Sequence, residues 1–210
     1  MATPVGDYYK GGLSPTSALV ITDYDRAAPR GVGNVKVAGN YVADLLPNML
    51  AKKQGFPIGL YLGEQTIPMP SPPFLPLLTP PSDSTTQTKI EEFSTSNFIG
   101  ISNASNKYVT PISSSVLPSI TNKSLMDIAR DEGMTVEQRD IEITELSEFD
   151  ECIACGTAVV VTPVGKVVKG KDVYDFGDET GATTMKLYNR VRDIQNGVAE
   201  DTLGWMEQVC

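Results

Sequence analysis

A lysine inside a glycine-rich stretch is the first feature of the sequence that could do chemistry. Residues 31–46, GVGNVKVAGNYVADLL, hold Lys36 among glycines and place Asn40 and Tyr41 shortly after it. Glycine lets the backbone come close to a bound group. A lysine that is desolvated or flanked by charge loses its proton readily, as a Schiff-base nucleophile must. This stretch alone is even more typical of a surface lysine in a turn, so its interpretation depends on the rest of the chain.

The sequence contains no histidine in its 210 residues. Catalysis by Ser-His-Asp or Cys-His groups and most zinc sites are therefore excluded. Proton transfer must be done by Lys, Glu, Asp, Tyr or Cys. The net charge of −9 argues against nucleic acid or an anionic membrane as the main partner, and no apolar run is long enough to cross a bilayer.

Cys152 and Cys155 form a C-x-x-C pattern, which occurs in redox pairs and in halves of zinc sites. The surrounding segment, ECIACGTAVVVTPV, has the composition of a strand, in which residues three apart face opposite ways. A disulfide between the two is therefore unfavourable, and four zinc ligands are not available. We expect buried thiols, no metal site and a reducing compartment.

The first residues, MATPVGDYYKGG, contain neither a basic nor an apolar stretch, so they resemble neither a signal peptide nor a transit peptide. Asn103 and Asn122 begin N-glycosylation patterns, but nothing else suggests secretion. We expect a protein of the cytoplasm or of an organelle such as the mitochondrion or plastid.

The first part of the chain predicts a strand, a helix and a second strand, at Ser17–Thr22, Asn40–Gln54 and Ile58–Leu62. Gly55 predicts the end of the helix, and Pro47 is expected to bend or interrupt it. Apolar residues at helical spacing predict its buried face: Val42, Leu45, Leu46, Met49 and Leu50.

The segment Glu64–Lys89 differs in composition from the rest. It contains seven of the fifteen prolines and eight serines or threonines. Such a segment has no usable periodicity and cannot pack as helix or strand, which predicts a disordered insertion. Its PxxP spacing leaves open a ligand for a proline-binding domain, although disorder is favoured.

The second half of the chain predicts alternating strands and helices without strict βαβ order, which favours an α+β fold with a mixed sheet. The predicted elements are a hairpin at Asn97–Ser102 and Lys107–Thr110, a helix from its N-cap Thr121 to Glu132, a strand at Val136–Ile141, a short helix at Thr144–Phe149, strands at Cys152–Thr162 and Lys166–Val168 joined through Pro163–Gly165, and a helix at Thr183–Gln195 whose apolar face contains Met185, Leu187, Tyr188, Val191 and Ile194.

Four segments taken together resemble one enzyme family. They are GVGNVKVAGNY (31–41), IEEFSTSNFIGI (90–101), SSVLPSITNKSLMDIA (114–129) and ECIACGTAVVVTPVG (151–165). In this order they are similar to the fold-type IV pyridoxal-phosphate enzymes, and most similar to the eukaryotic branched-chain amino acid aminotransferases. The resemblance covers nearly the whole chain except residues 64–89.

The resemblance implies roles for three side chains around pyridoxal 5'-phosphate. Lys36 matches the catalytic lysine that binds the cofactor covalently. Tyr41 matches the tyrosine that hydrogen-bonds the phenolic oxygen of the cofactor. Glu92 matches the carboxylate that faces the pyridine nitrogen, where a negative charge keeps the nitrogen protonated.

The resemblance also implies a phosphate-binding loop at Leu117–Thr121. The backbone N–H groups of Ile120 and Thr121 match its donors, and a helix start suits a phosphate because the helix dipole and the free N–H groups both point at it. Ser119 stands where the family usually has a glycine, which is expected to shift the phosphate geometry slightly.

A second loop is implied at Gly156-Thr157-Ala158. Gly156 and Thr157 match a turn that binds the phosphate, and Thr157 and Ala158 match the part of it that binds the substrate carboxylate. Both loops resemble the branched-chain enzymes more than the D-amino acid aminotransferases or the aminodeoxychorismate lyases.

The implied fold is α+β, the larger domain of a type IV aminotransferase, with a D-amino acid aminotransferase-like mixed sheet or pseudo-barrel and flanking helices. Residues 1–63 and 90–210 are expected to form it, and 64–89 are expected to be the disordered insertion. The small N-terminal domain of the family is expected to be absent. A phosphate-binding arginine and the aromatic residues of the side-chain pocket would be absent with it.

The implied activity is transfer of an amino group between Leu, Ile or Val and 2-oxoglutarate, in a protein that is a homodimer in the full-length family. Two alternatives remain open. One is another fold-type IV enzyme, such as a D-amino acid aminotransferase or an aminodeoxychorismate lyase. The other is a truncated, non-catalytic chain that at most binds cofactor or pairs with a full-length homologue.

Overall fold

The computed structural model describes residues 13–28, 31–64 and 87–207 of the chain. Strands and helices are mixed along it, as the α+β prediction requires. The strands are β1 (Thr16–Ile21), β2 (Ile58–Glu64), β3 (Gln87–Phe93), β4 (Asn97–Ser102), β5 (Lys107–Pro111), β6 (Thr135–Arg139), β7 (Glu151–Gly156), β8 (Val160–Lys169) and β9 (Asp172–Asp175); the helices are α1 (Ala38–Lys53), α2 (Ile120–Asp131) and α3 (Ala182–Gln195), with a 3₁₀ turn at Ile143–Glu148.

The described strands form one mixed sheet in the order β3-β2-β1-β8-β7-β4-β5-β6, with β9 beside β8. β1 runs parallel to both β2 and β8, whereas β7 is antiparallel to β8 and to β4. One pairing, Glu92 with Asn97, joins β3 to β4. Six strands therefore close into a ring, which confirms the predicted mixed sheet or pseudo-barrel.

Two hydrophobic clusters lie on opposite sides of this ring. The first contains residues from all six ring strands, such as Leu60 and Phe98, and we call it the inner cluster. The second lies between the sheet and helices α2 and α3, which contribute Leu125 and Leu187 among others. Cys152 belongs to the inner cluster and Cys155 to the second, so the two free, buried thiols face opposite ways, as predicted from strand alternation.

Several predicted elements are confirmed with small shifts of their ends. The hairpin β4–β5 turns at Asn106, which has a positive φ of 51°. Gly133 and Gly197 follow α2 and α3 with φ of 77° and 69°, a backbone conformation that glycine adopts without steric cost. The short helix predicted at Thr144–Phe149 is the 3₁₀ turn.

Helix α1 faces the other way from its predicted orientation. Its buried residues are Asn40, Asp44, Pro47 and Ala51, and the helix continues through Pro47 without the expected interruption. The predicted buried face is wrong, because its members Val42, Leu45, Leu46, Met49 and Leu50 have exposed fractions of 64%, 68%, 48%, 47% and 37%. Polar contacts decide the orientation, since the hydroxyl of Tyr61 on β2 donates to Asp44 Oδ1 at 2.5 Å.

The turn between β7 and β8 does not lie where the residue pattern predicts it. The chain turns at residues 157–159, just after Gly156, and β8 then runs without a break through Pro163 and Gly165. Pro163 cannot donate a ladder hydrogen bond, and it lies one residue before Val164, where β1 begins to pair with β8. The turn implied by the family resemblance at Gly156 is therefore correct, and the break expected at Pro163–Gly165 is wrong.

Two helix details need correction. The N-cap of α2 is Ser119 and not Thr121, because the Ser119 hydroxyl accepts the N–H of Asn122 at 3.2 Å, as N-cap serines do. In α3, Leu187, Val191 and Ile194 are buried as predicted, but Met185 is 37% exposed.

The ends of the predicted insertion belong to the sheet. β2 extends to Glu64 and β3 begins at Gln87, and Gly63 pairs with Lys89. Disorder at Glu64 and at 87–89 is therefore contradicted, and the rest of that prediction, on residues 65–86, lies outside the described residues. Within the described part of the chain, no helix is long and apolar enough to span a bilayer.

Candidate active site

The loop that carries Lys36 is fixed to the start of helix α1. The amide nitrogen of the Asn40 side chain donates to the carbonyl oxygens of Val32 at 2.9 Å and Val35 at 3.0 Å. Lys36 itself is exposed, and its ammonium makes no ion pair within the described residues. The exposed side chain can be reached by a ligand, but the described residues provide neither the burial nor the flanking charge that activates a lysine nucleophile.

Glu92 lies on β3 at the pairing that closes the ring, and it is 4% exposed. Its carboxylate forms an ion pair with Arg26, which is 7% exposed. The backbone N–H of Leu117 donates to Glu92 Oε1 at 3.4 Å. Burial raises the pKa of Glu92 to about 8, against the opposing effects of the Arg26 charge and the Leu117 N–H.

The implied phosphate loop is placed beside Glu92 by two contacts. Leu117 donates to Glu92, and the carbonyl oxygen of Leu117 accepts a hydrogen bond of 2.9 Å from the side chain of Asn97. The loop leads directly into α2, whose first residues are Ile120 and Thr121. Their N–H groups have no acceptor inside the helix, as at every helix start, while that of Asn122 is used by Ser119. This pair of donors is suited to an anion.

The turn at Gly156-Thr157-Ala158 lies next to the same loop. The thiol of Cys155, the residue before it, is hydrogen-bonded to the Ser119 side chain. A Cβ at Gly156 would come within 3.9 Å of the carbonyl oxygen of Thr95, in the turn between β3 and β4. Thr157 and Ala158 are exposed, so their backbone groups are accessible to a ligand.

Tyr41 is the implied site residue that the described contacts do not join to the others. It lies in the first turn of α1, follows Asn40 and is 37% exposed. Its hydroxyl makes no hydrogen bond to a described residue. The Lys36 loop, Glu92, Leu117–Thr121 and Gly156 are thus brought together, whereas the position of the Tyr41 ring stays a prediction.

The lysine loop and the segment before the phosphate loop approach each other very closely. A Cβ at Gly33 would lie 2.3 Å from the carbonyl oxygen of Ser115, a distance that no side chain could accept. Arg26 connects the same two places, because its Nη2 donates to the carbonyl oxygens of Gly33 at 3.1 Å and Ser115 at 2.9 Å. Gly33 is therefore needed for backbone approach and not for flexibility.

A second buried polar group lies beneath helix α1. The side chain of Asp44 accepts from Tyr61 and is also hydrogen-bonded to Ser94, whose hydroxyl accepts the N–H of Gly59 at 3.0 Å. Burial raises the pKa values of Asp44 and Tyr61. This network holds the polar face of α1 against β2 and so fixes the start of the helix, where the Lys36 loop ends.

Sequence reasoning missed three side chains that organise the site, namely Arg26, Asn97 and Ser115. Arg26 lies in the polar stretch TDYDRAAPR, where nothing distinguishes it from the neighbouring charges. The signal that could have found it is physical: a buried carboxylate such as the one implied at Glu92 needs a compensating cation.

The described donors and charges fit a ligand with three different ends. A lysine amine suits a carbonyl carbon, two N–H groups at a helix start suit a phosphate, and a buried carboxylate suits a protonated ring nitrogen. Pyridoxal 5'-phosphate has all three groups. The residues present therefore fit the cofactor that the resemblance implies.

Comparisons with known proteins show which proteins the chain resembles in sequence. Residues 84–167 match the family model of the class IV amino-transferases. The chain is 44% identical over 209 residues to the branched-chain-amino-acid aminotransferase of Haemophilus influenzae, covering 98% of this chain and 56% of that protein. The chain thus spans about half the length of the curated relatives that it matches.

Two solved structures have the same fold. The branched-chain amino acid aminotransferase of Escherichia coli has a TM-score of 0.76 at 25% identity, over 99% of this chain and 60% of that one. The enzyme of Thermobaculum terrenum, solved in its PLP-form, has a TM-score of 0.67 at 22% identity, over 89% of this chain and 52% of that one. Residues 84–167 therefore match a class IV amino-transferase, and the chain is similar to the branched-chain amino acid aminotransferases.

Proposed function

We propose that this chain is the cofactor-binding part of a branched-chain amino acid aminotransferase that uses pyridoxal 5'-phosphate. The observation that carries the proposal is the meeting of the Lys36 loop, Glu92 and the start of α2 at one place, through the contacts of Arg26 and Leu117. The similarity to branched-chain aminotransferases supports the same conclusion.

The cofactor, when bound, supplies a protonated pyridine ring that withdraws electrons from the substrate. Lys36 would hold it through its amine and, once replaced by the incoming amino acid, would act as the general base at the substrate Cα. The resulting ammonium would then act as the general acid that delivers this proton to the C4′ carbon of the cofactor. The loop between Gly31 and α1 holds Lys36 in reach, and the Asn40 hydrogen bonds fix that loop.

The remaining residues orient the ring and the substrate. Glu92 holds the proton on the ring nitrogen, because an opposite charge favours the charged form. The N–H groups of Ile120 and Thr121, with the turn at Gly156 and Thr157, bind the phosphate, and Tyr41 donates to the phenolic oxygen. The backbone at Thr157 and Ala158 binds the substrate carboxylate. When several groups hold a ligand, its translational and rotational entropy is lost on binding and no longer adds to the barrier of the chemical step.

The proposed substrates are Leu, Ile or Val and 2-oxoglutarate, and the proposed assembly is a homodimer in a reducing compartment, either the cytoplasm or an organelle. Two further candidates are another class IV enzyme and a non-catalytic chain. The free thiols of Cys152 and Cys155 support only the choice of compartment.

Borohydride trapping of pyridoxal phosphate, followed by peptide mapping, tests the proposal. We expect the reduced cofactor on Lys36, loss of trapping in Lys36→Ala, and unchanged trapping in Lys53→Ala, a matched exposed lysine at the end of the neighbouring helix. Cofactor on another lysine, or trapping that persists in Lys36→Ala, would contradict the assignment.

Turnover then separates the candidates. Transamination of L-leucine with 2-oxoglutarate supports the branched-chain enzyme, and turnover of D-alanine supports another class IV enzyme. Trapping on Lys36 without turnover identifies a chain that binds cofactor but lacks the rest of the pocket. A version extended by a homologous small domain is the control, because the 210-residue chain spans about half the length of the relatives that it matches.

A further inference from the structure

The guanidinium of Arg26 touches three separate parts of the candidate site. Its Nη2 donates to the carbonyl oxygen of Gly33, three residues before Lys36, and to that of Ser115, two residues before Leu117. The same nitrogen forms the ion pair with Glu92 Oε1. One side chain thus joins the lysine loop, the segment that leads into the phosphate loop and the proposed partner of the ring nitrogen.

The burial of Arg26 makes these contacts energetically important. Both members of the Arg26–Glu92 pair are more than nine-tenths buried, and removing one partner of such a pair leaves an uncompensated charge. The Nε of Arg26 is also buried, and it has no hydrogen-bond partner within the described residues. Because an unpaired buried donor is costly, packing alone does not explain the residue.

The two loops depend on Arg26 because they share little else. Within the described residues, no backbone hydrogen bond connects 31–37 with 112–119. Their contact is the close approach of Gly33 to Ser115, at the place where Arg26 donates to both carbonyl oxygens. The hydroxyl of Ser115 is held separately by Glu91, so the Ser115 side of this junction is anchored to β3.

The two carboxylate oxygens of Glu92 have different surroundings. Oε1 forms the ion pair with Arg26 and accepts the N–H of Leu117, while Oε2 accepts no hydrogen bond from the described residues. The carboxylate is therefore held from one side, and its second oxygen is available to a ligand. A planar guanidinium fixes such a carboxylate better than an ammonium does, because lysine is a flexible point charge.

We propose that Arg26 is a positioning residue of the cofactor site, which favours the ionised form of Glu92, fixes its orientation and holds the Lys36 loop against the phosphate loop. This inference rests on the proposed function. Arg26 touches neither cofactor nor substrate in this role, and it acts through Glu92 and through the two carbonyl oxygens. Its loss should therefore change both the mobility of the two loops and the protonation of the bound cofactor.

Hydrogen exchange of the cofactor-free chain tests the first consequence. Arg26→Met is compared with the wild type and with Arg130→Met, whose arginine forms an exposed ion pair with Asp127. We expect exchange in 31–37 and 113–121 to become about tenfold faster or more in Arg26→Met, with the hairpin β4–β5 unchanged. No change in these loops, or equal acceleration along the whole chain, would overturn the proposal.

Titration with pyridoxal phosphate tests the second consequence, by a double-mutant cycle with Glu92→Gln. The readout is the pH midpoint of the visible absorbance of the bound cofactor. We expect Arg26→Met to shift this midpoint by about one pH unit or more and Arg26→Lys to shift it less. In the Glu92→Gln background, the same Arg26→Met change should shift nothing, because Arg26 acts through Glu92.

A shift of equal size in both backgrounds would overturn the action through Glu92. If the wild type is not trapped at Lys36, the proposed function is wrong, and the exchange measurement alone still decides whether Arg26 joins the two loops. The two failures are therefore distinguishable.

Discussion

Helices α1 and α2 both lie beside the candidate site, yet they are held in place in opposite ways. Helix α2 buries four apolar residues, Leu125, Met126, Ile128 and Ala129, as expected of an amphipathic helix, and a single polar residue, Asn122. Helix α1 buries Asn40, Asp44, Pro47 and Ala51 and leaves its large apolar side chains exposed.

The difference shows that the two helices are specified by different forces. The position of α2 follows from apolar area removed from water, which is strong and non-directional. The position of α1 follows from hydrogen bonds of Asn40 and Asp44, which are weaker in net terms but directional. Directional hydrogen bonds suit the helix that follows the lysine loop, because that loop must keep one orientation.

The largest effect should come from deleting a buried side chain of α2. Leu125→Ala is expected to lower the free energy of unfolding by about 2–5 kcal/mol, because Leu125 is fully buried and leaves a cavity. Leu45→Ala on α1 is the matched control, and it should change stability by less than about 0.5 kcal/mol because Leu45 is 68% exposed. Urea unfolding measures both. Equal losses would mean that the outer face of α1 is covered in solution.

The next effect concerns pH, and it should arise from the buried carboxyl groups of Glu92 and Asp44. The pKa of Glu92 is raised from 4.5 to about 8 by burial, and that of Asp44 is raised too. The folded chain therefore binds more protons than the unfolded chain in this window, so its stability should fall as pH rises from about 4.5 to 8. Each unit of pKa shift corresponds to about 1.4 kcal/mol.

Glu92→Gln is the test of this pH dependence. Urea unfolding of the cofactor-free chain between pH 5 and 8.5 should give a flatter profile in the variant. On the α2 side, burial raises the pKa values of Tyr108 and Cys155 further above their usual ranges, so neither group contributes appreciably between pH 5 and 8.5. A variant with the same slope as the wild type would show that Glu92 stays ionised throughout.

The smallest effect on stability should come from charges on the outer face of α1. The exposed residues Val42, Leu45, Leu46, Met49 and Leu50 repeat at helical spacing and form a contiguous apolar surface, which favours self-association. Leu45→Glu with Leu46→Glu should reduce the self-association of the chain in sedimentation velocity while changing its stability by less than about 0.5 kcal/mol. Val198→Glu, at a residue 76% exposed elsewhere, should leave association unchanged.

The same comparison explains what the sequence could predict. Periodicity located both helices within two residues of their ends, because spacing along the chain reports helix formation directly. Periodicity did not predict the buried face of α1, because the partners of Asp44 are Tyr61 and Ser94, which lie far along the chain, and no local pattern reports them.

The candidate site, like the two helices, could be predicted from the sequence only in part. Lys36, Glu92 and the Leu117–Thr121 loop could be named from the family resemblance, and the described contacts bring their loops together. Local pattern misplaced the β7–β8 turn, since the apolar residues on both sides of Gly156 have the composition of one long strand. Arg26 could not be found, because a buried arginine and a solvated one look alike in sequence.

The pairing of β1 with β8 has a consequence for how the chain reaches its fold. Thr16 near the start of the described chain pairs with Val164, so one edge of β1 stays unpaired until most of the chain has been synthesised. Pairings of such long sequence separation form slowly, and open strand edges favour aggregation meanwhile. The unit β1–α1–β2 is synthesised long before β8, with this bare edge and the apolar outer face of α1, so folding yield should be limited by the delay before β8 arrives.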